Sequence, residues 1–194
     1  MAALNKIVFD VETQKSFEEV GGYGKNHLLK VSVVGVYSYL EDKHYCFTED
    51  QVYRVGEMFQ EADLIIGFNI KNFDYEVLKP YLTYDPHTLP TLDIMVEIEK
   101  LIGHRVRLDN VAQTTLGVGK SGDGLEALRM FRQGRIEELK KYCSQDVKIT
   151  KEVYDYVQKY GKLLYKDYFD TRELKILFPE PEMRRPVQRQ ISLF

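Results

Sequence analysis

Leu4-Asn5-Lys6-Ile7-Val8-Phe9-Asp10-Val11-Glu12-Thr13 is the stretch that decides the architecture. From Leu4 to Val11 it is apolar on both faces until Asp10, the pattern of a strand buried between two layers. Side chains alternate along a strand, so Asp10 and Glu12 share one side while Phe9 and Val11 point to the other. Two carboxylates side by side repel unless something positive sits between them. A solvated strand end also carries acids, and this pair alone leaves both readings open.

Outward from this strand, Leu28 to Tyr39 is a β-branched and aromatic run suited to a long second strand. The loop between them, Gln14 to Asn26, contains Gly21, Gly22 and Gly24. His44 to Thr48 reads as a third strand, Gln51 to Glu61 as a helix, and Leu64 to Phe68 as a fourth strand leading into a helix from Phe73 to Tyr81. From Thr91 the spacing turns helical, over Ile94 to Ile102, Leu108 to Leu116, Leu125 to Phe131 and Arg135 to Tyr160, with Gly103, Gly117 and Gly134 between. Lys162 to Phe178 is rich in Leu, Tyr and Phe and fits a hairpin or packing arm. Strands first, then strand and helix alternating, predict an α/β domain: a mixed sheet of about five strands flanked by helices, with the carboxylates at its edge. The domain is expected over residues 1–178, followed by an extended tail over 179–194.

The 194 residues suit one domain of ordinary size. Hydrophobic residues at 44% and charged residues at 29% are the balance of a soluble globular chain, with no apolar run long enough for a bilayer and no signal-peptide pattern, so a cytoplasmic protein without membrane contact is expected. Cys46 and Cys143 are far apart in sequence without ligand-like spacing and read as reduced, unpaired thiols. A net charge of -3 gives no overall attraction to a polyanion, so contact with nucleic acid has to be local and partly carried by metal ions.

Two further segments carry chemistry. In Gly67-Phe68-Asn69-Ile70-Lys71-Asn72-Phe73-Asp74 a strand ends and a helix begins with an acid in its first turn, which taken alone reads as a simple cap. In Tyr142-Cys143-Ser144-Gln145-Asp146 a spacing of four puts a phenol and a carboxylate on one helical face, as chance also does in many helices. Brought together, four carboxylates require divalent cations, and all-oxygen ligation selects hard ions such as Mg²⁺ or Mn²⁺. The natural task of such a site is phosphoryl transfer, with two metals about 4 Å apart on the two sides of a phosphodiester.

Phe9-Asp10-Val11-Glu12-Thr13, Asn69 to Asp74 and Tyr142-x-x-x-Asp146, in this order, resemble the three exonuclease motifs of the DEDDy branch of the DnaQ-like, RNase H-like 3'-to-5' exonucleases. The resemblance covers residues 4 to about 160. It is closest to the proofreading domain of family B DNA polymerases and to small bacterial RNase H-like exonucleases, and Leu108 to Gly117 looks like the helix between the second and third motifs of that family. It implies an RNase H-like fold and a catalytic set of Asp10, Glu12, Asp74, Tyr142 and Asp146. Asp10, Glu12 and Asp146 would hold one divalent ion, Asp10 would bridge to a second near Asp74, and Tyr142 would orient or deprotonate the water. The sister branch has a histidine five residues before the last acid; Lys141 stands there, so the role falls to Tyr142. Thr13, Asn69 and Phe73 are candidates for contact with the terminal nucleotide, although packing serves Phe73 equally.

Gly117-Val-Gly-Lys-Ser121 resembles the end of a P-loop, but Thr114 stands where the first glycine belongs and the segment follows a helix rather than a strand. It fits better as a loop beside the substrate channel where Lys120 meets phosphate. Arg129, Arg132, Arg135, Lys140 and Lys141 form a basic helical surface that either does the same or is only a solvated face.

Gln190-Ile191-Ser192-Leu193-Phe194 resembles the short peptide by which bacterial replication and repair proteins hold the sliding clamp. The alternative is a tail folded back on its own surface. The eleven residues from Pro179 to Arg189 reach at most roughly 35 Å when extended, enough for a tether. The resemblances together imply a DNA 3'-to-5' exonuclease of replication or repair that releases 5'-mononucleotides. An exoribonuclease or a catalytically silent nucleic-acid-binding module are the rivals.

Overall fold

A computed structural model of the protein describes residues 4–119 and 124–179. Lys120 and the terminal peptide Gln190 to Phe194 therefore lie outside the described residues, as does all of the expected tail except Pro179.

Strand β1 (Lys6–Thr13) is the middle of a five-stranded sheet completed by β2 (Val31–Ser38), β3 (Lys43–Thr48), β4 (Leu64–Gly67) and β5 (Thr91–Asp93), in the order β3-β2-β1-β4-β5. The first three strands are antiparallel neighbours, and β4 and β5 add in parallel on the other side of β1. The mixed α/β architecture expected from the sequence is the one observed. The carboxylate strand itself is central rather than at the edge, because β4 pairs with β1 on the side away from β2. Such a position explains why Ile7, Val8 and Phe9, which point to both faces of β1, are apolar and buried.

Phe9 and Val11 enter one core layer with helices α1 (Val52–Glu61) and α2 (Asp74–Leu78), where the Phe9 ring meets Phe59 at 4.7 Å and Tyr75 at 5.8 Å. Val8 enters the opposite layer with α3 (Ile94–Ile102), α4 (Leu108–Leu116) and the long α6 (Ile136–Tyr160). Asp10 and Glu12 share the parity of Val8 and so face this second layer. Among the described residues no helix is long and apolar enough to cross a membrane.

Where the last strand enters the sheet, Asp93 caps α3 and is fully buried. Its carboxylate also accepts the amides of Asn69 at 2.7 Å and Lys71 at 2.9 Å, fixing the turn that follows β4. Asn69 takes a left-handed conformation there, with φ 67°, which asparagine tolerates better than most residues. The segment 162–178 forms the expected hairpin, β6 (Lys162–Lys166) and β7 (Thr171–Lys175). Helix α4 takes hold of it by imitating a strand: the Asn110 amide and Thr115 hydroxyl exchange hydrogen bonds with the backbone of Lys166 and Leu164 at 2.7 to 2.9 Å.

Helix α6 crosses β2 over Gly35, which pairs with Asp10. A Cβ at this position would lie 2.9 Å from Val147 Cγ2 and 3.0 Å from Cys143 Sγ. The missing side chain thus lets α6 approach closely enough for its acid to reach β1. Gly35→Val is expected to destabilise by about 1–3 kcal/mol through overpacking. Thermal denaturation checks this.

Candidate active site

Asp10 and Glu12 stand at the C-terminal end of β1, next to the irregularity in its pairing with β2 between Glu12 and Thr13. Asp146 comes from α6 and is 2% exposed. One carboxylate oxygen from each of these three residues lies within 4.8 Å of the other two. Three acids at this separation repel strongly in a poorly solvated place, and a divalent cation with oxygen ligands removes the repulsion.

Asp74, the first residue of α2, approaches from another side. It is almost fully buried, and its Oδ1 accepts the Val11 amide at 3.0 Å, so β1 itself fixes the carboxyl. Burial pushes the Asp74 carboxyl well above the usual carboxylate range, and the charge of Asp10 pushes it further. The Val11 hydrogen bond works in the opposite direction without cancelling this. A cation near Asp10 and Asp74 would favour the ionised form of both. The donor set therefore fits the hard divalent ions expected from the sequence.

Tyr142 lies one turn before Asp146 on α6 and is 5% exposed, packed with Val33, Ala127, Leu139 and Cys143 under helix α5 (Gly124–Arg132). The two residues do share a helical face. Cys143, placed between them in sequence, packs against Cys46 of β3 although the two are far apart in the chain. Its thiol donates to the Asp10 backbone oxygen at 3.5 Å. The hydrogen bond with Cys46, burial, and the charges of Asp10 and Glu12 all push the Cys143 thiol up. The two thiols are free, with no disulfide between them.

Two cavities open beside the carboxylates and share Asp10, Phe68, Asn69, Arg107 and Gly124. The first, of about 830 Å³, also holds Arg105, Asp109 and Met95. The second, of about 700 Å³, holds Glu12, Thr13, Asp74 and Phe73. All three residues expected to meet the terminal nucleotide, Thr13, Asn69 and Phe73, thus line a cavity that contains site carboxylates. Asn69 is further held by Arg105, whose Nη2 donates to its Oδ1 at 3.1 Å.

Within the RNase_H superfamily, a family model matches residues 7–158, a span that contains every one of these carboxylates. The chain belongs to the RNase H superfamily. No curated protein matches the sequence at a significant level. Among solved structures, a family B DNA polymerase from the hyperthermophilic archaeon Pyrobaculum calidifontis is similar in fold, with a TM-score of 0.62 and 16% identity over 80% of this chain and 25% of the polymerase. The RNase D of Trypanosoma brucei is similar as well, with a TM-score of 0.55 and 13% identity over 78% of this chain and 56% of that one. The chain thus spans a quarter of the polymerase and about half of the RNase D.

In this RNase H-like chain the basic helical surface is largely neutralised. Arg129 pairs with Glu126, Arg132 with Glu19, Arg135 with Glu138, and Lys140 with Glu137. The solvated-face reading suits them better than phosphate contact. Arg107, at the start of α4, was not singled out by the sequence, yet it borders both cavities. An exposed arginine just before a helix looks like any other in sequence, and only the fold brings it beside Asp10.

Proposed function

We propose that the chain is a metal-dependent 3'-to-5' exonuclease that hydrolyses the terminal phosphodiester of a nucleic acid and releases 5'-mononucleotides. The observation that carries the reading is the convergence of Asp10, Glu12 and Asp146 within 4.8 Å, with Asp10 lining both cavities and Glu12 the second. Membership of the RNase H superfamily supports it, as does a fold shared with a polymerase and an RNase D.

Asp10, Glu12 and Asp146 would hold one divalent cation, and Asp10 with Asp74 a second, Mg²⁺ or Mn²⁺ by the all-oxygen donor set. Such ions supply charge neutralisation at the phosphate and a water activated near neutral pH. The chain's own residues supply position. Asp74 is fixed by the Val11 amide and Asp146 by the close approach of α6 to Gly35. Tyr142, on the face of α6 that carries Asp146, places the hydroxyl that orients the attacking water. Thr13 and Asn69 contact the terminal nucleotide from the cavity wall.

DNA is the proposed substrate on account of Gln190 to Phe194, which resembles a clamp-binding peptide and would tether the enzyme to a sliding clamp in replication or repair. RNA is the second reading: the fold is shared with an RNase D as well, and among the described residues of the site none distinguishes the sugars. A 5'-labelled single strand is expected to shorten progressively from its 3' end with Mg²⁺ or Mn²⁺ and to stop shortening on chelation. Activity that survives chelation overturns the metal mechanism, and RNA degraded in preference to DNA overturns the choice of substrate. Deleting residues 190–194 should leave this activity unchanged and abolish micromolar binding to a bacterial clamp, measured by calorimetry.

A further inference from the structure

Two thiols meet behind the carboxylates, and the proposed metal chemistry uses neither. Cys143 of α6 is fully buried and Cys46 of β3 is half-buried. Gly35 is what brings them together. Directly opposed residues of an antiparallel pair project to the same face, so Cys46 lies on the side of the sheet on which α6 crosses its partner Gly35. Because Gly35 has no side chain, the Cys143 sulfur comes within 3.0 Å of where a Cβ would stand, and Cys46 on the neighbouring strand is within hydrogen-bonding reach of it. Both side chains project into one layer with their sulfurs in contact, the arrangement a disulfide needs.

The two thiols differ in how an oxidant reaches them. Cys46 is partly open to solvent, and its hydrogen bond with Cys143 holds the thiol below its usual range. Burial opposes this, the Lys140 charge assists it, and Glu137 opposes it again. A partly exposed thiol with a cation nearby is the kind that reacts, whereas a thiol buried in apolar surroundings is inert until a reactive sulfur is brought against it. Cys46 is therefore suited to meet the oxidant and Cys143 to complete the bond.

We propose that Cys46 is a site of oxidation by hydroperoxides, resolved by Cys143 as an intrachain disulfide that draws α6 away from β1 and slows hydrolysis. The consequence rests on the exonuclease reading; the chemistry does not. The Cys46 sulfur attacks a peroxide oxygen, forming an S–O bond as the O–O bond breaks, and the alcohol or water that leaves carries the thiol proton. The Cys143 sulfur then attacks the Cys46 sulfenic acid, forming the S–S bond as the S–O bond breaks. The departing hydroxide takes the Cys143 proton and becomes water. Two thiols lose two electrons and the hydroperoxide gains them.

In the sheet, β3 and β1 lie on opposite sides of β2. An S–S bond is about 2.05 Å long, far shorter than a contact between unbonded sulfurs, so closing it draws Cys143 toward β3. The thiol also gives up the hydrogen bond that it donates to the Asp10 carbonyl at 3.5 Å. Tyr142 and Asp146 flank Cys143 on the same helix and move with it, away from Asp10. A displacement of about 1 Å in an active site costs up to about 10²-fold in rate. A divalent ion held by Asp10, Glu12 and Asp146 would pull the helix the other way. Ion and disulfide therefore oppose each other, and each weakens the other by one common factor.

The test treats the full chain with hydrogen peroxide in chelator, removes the peroxide, and reads the disulfide by alkylation and peptide mass spectrometry before activity is measured. Wild type is expected to form one bond between Cys46 and Cys143, to shorten a labelled strand about 10²-fold more slowly, and to recover with dithiothreitol. Cys46→Ser and Cys46→Ala should match reduced wild type before treatment and lose no activity after it. Equilibrated against glutathione, the disulfide should need an about tenfold more oxidising buffer when Mg²⁺ is saturating, and the oxidised protein should bind Mg²⁺ about tenfold more weakly in a thermal-shift titration. Mg²⁺ is the probe because a hard ion does not compete for sulfur. Cys46 oxidised past the sulfenic acid without a disulfide, or a disulfide that changes neither rate nor Mg²⁺ affinity, overturns the proposal. So does a Cys46→Ser protein that peroxide inactivates as fast as wild type. A chain that shortens no strand sinks the exonuclease reading, while the disulfide and its effect on Mg²⁺ affinity still support or overturn the coupling of the thiols to the carboxylates.

Discussion

Asp10→Asn should lower hydrolysis at least about 10³-fold while making the metal-free protein more stable. The two effects have one cause. Asp10 belongs to the three-acid cluster, and its charge also raises the pKa of the buried Asp74 carboxyl. Removing that charge relieves repulsion in the absence of cations and removes a ligand in their presence. The metal's stabilisation of a phosphoryl-transfer transition state amounts to several kcal/mol, and each 1.36 kcal/mol is about tenfold in rate, which gives the expected loss. In wild type, Mn²⁺ at about a hundred times its Kd should add about 2.7 kcal/mol of stability, or about 5–10 °C in Tm for a chain of this length. Asp10→Asn should show a higher Tm than wild type in chelator and little rise on adding Mn²⁺. A variant that loses activity but keeps the full Mn²⁺-induced rise would remove Asp10 from the metal site.

The same electrostatics set the pH dependence of the metal-free fold. Asp74 has its folded-state pKa raised above the unfolded value, so the native state binds its proton more tightly than the unfolded chain does. Its contribution to stability is fully present below the unfolded pKa of about 3.9 and is lost as pH rises toward and through the raised folded value. Chelated wild type should therefore lose stability relative to Asp74→Asn as pH rises from acid toward neutral, because asparagine keeps an oxygen for the Val11 amide without the buried charge. Thermal denaturation of both proteins across that range reads the difference.

Much of this site is legible in the sequence because its parts are local patterns. The parity of Asp10 and Glu12 follows from a strand, the common face of Tyr142 and Asp146 from a helix, and α3 and α4 begin and end where their spacing and glycines place them. What was not legible depends on contacts between distant segments. β5 has three residues, Thr91–Asp93, too few for a period, so Asp93 and its grip on the Asn69 turn went unseen. The central place of β1 depends on β4 choosing its far side, which no local pattern encodes. Cys46 meets Cys143 because Gly35, paired with both Asp10 and Cys46, leaves room for α6. The loop from Gln14 to Asn26 shows its glycines in sequence, but Phe17 meets Phe73 only once Asn26 is fastened to Asn72.

Tyr142→Phe is expected to lower turnover about 10²-fold with little change in substrate affinity. The substitution removes a single oxygen from a side chain packed among Val33, Ala127, Leu139 and Cys143, so the ring and the path of α6 stay in place. Without a partner for the water, the step would rely on the cation and Glu12 alone, and positioning by a general base or hydrogen-bonding group is worth about 10²–10⁴-fold. Because the role proposed for the phenol is on the attacking water and not on the strand, the loss should appear in the single-turnover rate while Kd for a phosphorothioate strand stays at the wild-type value. Tyr142→Ala is a poorer probe, since emptying a buried aromatic site destabilises by about 3–5 kcal/mol and disturbs Asp146 one turn away. A Phe variant that turns over at the wild-type rate would assign Tyr142 to the packing of α6 against α5 and leave the orientation of the water to the carboxylates.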